Sequence, residues 1–72
     1  MKVTMVYLVM KEAVNIYEKV IAKATYNYEQ MYEVVKTMNE IAQELVKEED
    51  VRFNELGVKI AIANVEALAK MC

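Results

Sequence analysis

No proline and a single glycine, Gly57, interrupt the 72 residues of this chain, so the strongest signals for turns and loops are missing almost everywhere. Long helices are what such a chain can build. Setting Met10 at position a of a heptad places Val3, Met10, Tyr17, Ala24, Met31, Met38 and Leu45 at a, and Val6, Ala13, Val20, Asn27, Val34 and Ile41 at d. Apolar residues recurring at this spacing form one face of a helix, and only Asn27 is polar. Position e is apolar as well, through Tyr7, Val14, Ile21, Tyr28, Val35 and Ala42. A stripe three rows wide exceeds what a two-stranded seam needs and calls for more than one neighbouring helix.

Charge marks the next boundary. Lys47 suits the negative end of a helix, whereas Glu48, Glu49 and Asp50 suit the positive start of another. Asp50 is the candidate N-cap. Beyond it Phe53, Leu56, Ile60, Ala63, Ala67 and Met71 repeat at helical spacing, and Glu55 to Lys59 and Glu66 to Lys70 form i,i+4 pairs in the favourable orientation. Gly57 inside this helix costs about 1 kcal/mol relative to alanine, so a later start capped by Asn54 is the alternative.

The expected fold is therefore all-α: one domain over 1–72, with a long helix over about 3–47 and a shorter C-terminal helix over about 51–70, assembled as an antiparallel oligomeric bundle. Two alternatives stay open. The Val, Thr and Tyr content of 2–10 also suits a strand. At 24–28, Asn27 as N-cap, Gln30 three residues on and a Tyr26 to Met31 staple would suit a turn near 25–28 and a three-helix up-down-up bundle. The unbroken heptad phase favours the continuous helix.

Geometry separates these alternatives. A helix over 3–47 would be about 68 Å long at 1.5 Å per residue, whereas a compact chain of this length has a radius of gyration of about 11 Å. The long helix requires a second chain, and a homodimer is the expected assembly. Its expected core is Met10, Tyr17, Val20, Met31, Val34, Met38, Ile41 and Leu45. The charges set the direction, because Lys2, Lys11, Lys19 and Lys23 dominate 1–28 while Glu29, Glu33, Glu40, Glu44, Glu48, Glu49 and Asp50 dominate 29–50. Antiparallel packing sets these stretches side by side, and patterned charge is good at choosing orientation.

Composition excludes several function classes. Without histidine, neither His-dependent triads nor the usual Cys/His zinc spacings can be written. Cys72 is the only cysteine, so no intrachain disulfide forms, and no base accompanies it to activate the thiol. Carboxylates at 29, 33, 40, 44 and 48 recur mostly at i,i+4 but lack the Glu-x-x-His partners of di-metal bundles, and read as a solvated face. No catalytic activity, metal or cofactor is expected. The run Val3 to Met10 is too short to cross a membrane. Lys11 and Glu12 also cut it short as a secretory leader, and a lone thiol suits a reducing compartment, so the expected location is cytoplasmic.

What remains is recognition by surface. Six methionines and five tyrosines are frequent for this length, and both residue types suit adaptable apolar contacts. The leading expectation is a small oligomerisation or protein–protein interaction module that binds or presents a helix through a wide Met/Tyr-rich groove. Tyr26 and Tyr32 fall outside the stripe and, with Lys19 and Lys23, are the candidate partner-binding residues. The runner-up is a nucleic-acid-associated regulator in which Lys11, Lys19 and Lys23 touch phosphates and Tyr26 stacks on a base. A net charge of −2 and a single arginine weigh against it.

Overall fold

The protein, described over residues 3–23 and 27–71 of a computed structural model, is an all-α bundle of three helices: α1 (Val3–Ala22), α2 (Tyr28–Leu45) and α3 (Val51–Met71). Val3 to Met10 is helical, not extended. The long helix expected over 3–47 does not form: α1 ends at Ala22 and α2 begins at Tyr28. The staple at Tyr26 and the residues 24–26 lie outside the described residues.

The break has identifiable causes on both sides. Asn27 has extended backbone angles (φ −74°, ψ 118°), and its side chain accepts a hydrogen bond of 3.1 Å from the Gln30 N–H. That satisfies one of the orphan donors of the α2 N-terminus. At the end of α1, Lys70 donates from Nζ to the Ile21 carbonyl at 2.8 Å, which supplies one of the acceptors left open there. These bonds satisfy groups that the break itself frees, and folding back lets α3 cover a stripe that a straight helix would leave exposed.

α3 starts where charge placed it. Asp50 Oδ1 accepts from the Arg52 N–H at 2.9 Å, and the Asp50 carbonyl accepts from Phe53 and Asn54; this is an N-cap. Asn54 does not begin a later helix. It lies inside α3 and donates its amide to the carbonyls of Leu45, Val46 and Glu48, tying the end of α2 to α3. Of the two expected i,i+4 pairs, Glu66–Lys70 forms at 3.6 Å, and Glu55–Lys59 is not among the ion pairs of the described residues.

α3 is the central helix. Tyr7 meets Phe53 edge-on at 6.0 Å, Tyr17 bonds Asn64 and Ile21 meets Lys70, so α1 runs parallel to α3. The C-terminal end of α2 reaches Gly57 while Tyr28 and Tyr32 share a cleft with Met71, so α2 runs antiparallel to α3. α1 and α2 are thus antiparallel, as the charge pattern anticipates, but no Cα of one comes within 8 Å of the other. The ion pairs among the described residues are all local in sequence, so the opposed charges of α1 and α2 act at most at a distance.

Small residues on α3 explain why both neighbours choose it. Gly57, Ala63 and Ala67 are buried. A Cβ on Gly57 would stand 2.8 Å from Val46 Cγ1, 3.1 Å from the Ala42 carbonyl oxygen and 3.1 Å from Leu45 Cβ. The helix propensity lost at Gly57 is therefore exchanged for close approach of α2. Leu56, Ile60, Ala63 and Ala67 are buried as the α3 spacing predicts, with Phe53 and Met71 packed against them.

The expected core is corrected in its rows. α1 turns Tyr7, Met10, Val14, Tyr17 and Ile21 inward, and α2 turns Met31, Val35, Met38, Ala42 and Leu45 inward; these are positions a and e. From the expected oligomer core, Tyr17, Met31 and Leu45 are buried within this one chain, while Met10, Val20 and Met38 are half-buried against its core. Val34 and Ile41 are exposed, at 42% and 37%. One neighbouring helix covers only two rows of a three-row stripe, and α3 takes a and e. The radius of gyration, 12.5 Å, is that of a folded-back chain, so the length of an unbroken helix no longer argues for a second chain.

Candidate interaction surface

The separation of α1 from α2 leaves a cleft where the start of α1, the end of α2 and the start of α3 converge. Its volume is about 370 Å³ and its lining is Val3, Val6, Met10, Leu45, Phe53 and Glu48. The walls are apolar and Glu48 supplies the one charge. Each side chain arrives by helical spacing: Val3, Val6 and Met10 lie on one face of α1 at i, i+3 and i+7, Leu45 is the last residue of α2, and Phe53 lies in the first turn of α3.

Beside Phe53, the start of α3 is held by polar contacts. Arg52 forks onto Asp50, with Nε to Oδ1 at 3.1 Å and Nη2 to Oδ2 at 2.7 Å, and its guanidinium lies 5.3 Å from the Tyr7 ring centroid. A cation over an aromatic face is attracted by the ring quadrupole. Tyr7 in turn meets Phe53 edge to face, so the aromatic wall is held from α1 and α3 together. The Arg52 side-chain hydrogen bond, followed by its backbone N–H, holds the Asp50 carboxyl below the ordinary value of 3.8. Asp50 correspondingly raises the Arg52 guanidinium through the same side-chain bond.

A second open cleft, about 580 Å³, lies at the opposite end and is lined by Tyr28, Glu29, Tyr32, Glu33 and Met71. Tyr32 is 56% exposed there. A third depression, about 250 Å³, is formed by Glu33, Val34, Thr37 and Met38 on α2. Val34 of the d row thus lines a surface depression of the chain.

Of the residues singled out from the sequence for partner binding, Tyr32 lines an open cleft that it shares with Glu29 and Glu33. Tyr26 lies outside the described residues. Lys19 and Lys23 are exposed at the end of α1, as is Lys11 earlier on that helix, and neither Lys19 nor Lys23 lines the Tyr32 cleft. Sequence reasoning placed Phe53 in the α3 repeat, where it packs against the core, but did not single it out as a wall of the cleft. Among the described residues, no group of Asp, Glu, His or Cys is arranged to hold a metal ion, and no helix is long and apolar enough to cross a membrane. No protein family matches the chain, and no curated protein or solved structure matches it.

Proposed function

We propose that this protein is a helical interaction module whose α1–α2 cleft receives an apolar helix from a partner protein. The observation that carries the reading is the open recess: no Cα of α1 comes within 8 Å of α2, and Val3, Val6, Met10, Leu45 and Phe53 line an apolar depression where the two helices meet the start of α3. An amphipathic helix laid there would meet both flanking helices, as in helix-in-groove recognition. Met10, half-buried and unbranched, adapts its shape to such a guest. Glu48 at the rim favours a partner with a basic residue beside its apolar face.

The test is selection of amphipathic helical peptides from a display library, followed by mapping of the bound peptide by amide chemical shifts. Perturbations should centre on Val3, Val6, Met10, Leu45 and Phe53, and Val6→Glu should abolish binding while leaving the fold intact. Peptides that map elsewhere, or that bind Val6→Glu as well as the parent, would remove the basis for this reading.

A further inference from the structure

The back of α3 carries an apolar stripe that the bundle does not use. Val51, Val58, Ile62 and Val65 are exposed at 64%, 51%, 64% and 67%, and with Ala69 they repeat along one face at helical spacing. This face points away from buried Leu56, Ile60, Ala63 and Ala67. A helix apolar on opposite sides is normally buried on both. The chain as a whole exposes 5215 Å², whereas a folded monomer of its 8.3 kDa exposes about 4,600 Å² by surface–mass scaling.

We propose that two copies of this chain pair back to back through α3 in antiparallel orientation. The stripe from Val51 to Ala69 is about 27 Å long, and two helices joined along it bury roughly 500 Å² per copy. The total, about 1,000 Å², lies at the lower edge of specific interfaces, in the size range of weak and transient association. Burial on that scale would remove most of the excess surface of the single chain. On α1, exposed Met5, Leu8, Val9 and Ile16 form a shorter patch, about 16 Å long.

Charge chooses both the partner and the direction. Lys59 and Glu66 lie on the same flank of the stripe, and the other flank carries Ala61 and Leu68. In an antiparallel pair like flanks meet, so Ala61 and Leu68 face their own counterparts and the charged flanks face each other. With Ile62 of each copy against Val65 of the other, Lys59 of one copy and Glu66 of the other lie about 3 Å apart along the axis at 1.5 Å per residue. Two symmetric ion pairs result. A parallel pair would set Lys59 and Glu66 against Ala61 and Leu68, leaving both charges without a partner across the interface. The face is therefore self-complementary in one direction only, as a two-fold interface requires.

This pairing leaves the α1–α2 cleft open and stands independently of the partner-helix reading. Sedimentation equilibrium of the full chain under reducing conditions, over about 1 to 200 µM to bracket a micromolar dissociation constant, should show the mass doubling. Ile62→Lys, at an exposed position, should remain folded by circular dichroism and stay monomeric throughout. Lys59→Glu should weaken the dimer about tenfold, and adding Glu66→Lys should restore it to within about threefold of the parent. Val6→Glu should leave the mass unchanged. A strictly monomeric parent, a dimer that survives Ile62→Lys or is lost with Val9→Glu instead, or a charge reversal without effect or without rescue would each overturn the proposal.

Discussion

Replacing Tyr17 by phenylalanine removes one oxygen from the core and should cost far more than its volume suggests. Tyr17 and Asn64 are 6% and 4% exposed, and the Tyr17 hydroxyl donates to Asn64 Oδ1 between α1 and α3. The other amide atom, Asn64 Nδ2, is buried without a hydrogen-bond partner. Tyr17→Phe would therefore leave the Asn64 amide buried with its bond to α1 gone and its donor already unsatisfied. Stranding a buried polar group costs about 1–3 kcal/mol, a large part of the roughly 3–5 kcal/mol that a core of this size supplies. At about 4–8 °C per kcal/mol for so small a domain, the melting temperature should fall by about 5–20 °C. Asn64→Leu removes the amide together with its unpaired donor, so in the Tyr17→Phe background it should recover most of the loss. Thermal and urea unfolding of the parent, both single variants and the double variant give the coupling energy, expected at about 1–2 kcal/mol. A Tyr17→Phe variant as stable as the parent, or a double variant that is merely additive, would refute the reasoning.

Three further outcomes follow from the turns and caps. Asn27→Leu should lower stability by about 1 kcal/mol, because the side chain caps α2; a rise in melting temperature would instead indicate a buried seam position. Gly57→Val should destabilise by about 1–3 kcal/mol, since the Ala42 carbonyl oxygen and Leu45 Cβ lie only 3.1 Å from where even its Cβ would stand; chemical denaturation showing no loss would mean that α2 does not approach there. The Asp50 carboxyl, held below 3.8 by Arg52, contributes stability that is present above that value and lost as pH falls through its lower folded-state midpoint. Carboxyl chemical shifts should titrate below 3.8 in the parent and move upward in Arg52→Gln, and an ordinary midpoint in the parent would exclude the fork in solution.

Much of the fold was legible because local signals coincide with it. The α3 start was marked by Lys47 followed by Glu48, Glu49 and Asp50, and its buried row Leu56, Ile60, Ala63 and Ala67 by simple periodicity. The break near Asn27 was also written locally, in Asn27 and Gln30, but the heptad phase running through it argued for the opposite outcome. Periodicity reports which residues are apolar, not whether the chain folds back on itself. The same limit explains Val34 and Ile41. Three adjacent apolar rows do not reveal which two will face a neighbour, and the small residues of α3, distant in sequence, made that choice. Asn64 was invisible for a related reason: its polar side chain is inward only because Tyr17, 47 residues earlier, supplies a donor. Lys70 was legible as the partner of Glu66 but not as the group that meets the end of α1.

The surfaces were legible in kind more than in place. Abundant Met and Tyr pointed to adaptable contacts, and Tyr32 does line a cleft. The α1–α2 recess depends instead on the distance between two helices, which no local pattern encodes. The back of α3 was readable from Val51, Val58, Ile62 and Val65, but it gains meaning only once the opposite face of that helix is known to be occupied.

Core, cleft and pairing face all depend on the chain folding back between α1 and α2, and a distance within one molecule tests this directly. Spin labels at Thr4 and Glu44, in a Cys72→Ser background diluted with unlabelled protein so that only intrachain pairs are read, should lie about 20 Å apart across neighbouring helices, whereas an uninterrupted helix would separate them by about 60 Å. A distribution centred near the short distance is the predicted result. One centred near the long distance would contradict the three-helix bundle, and with it the cleft and the exposed back of α3.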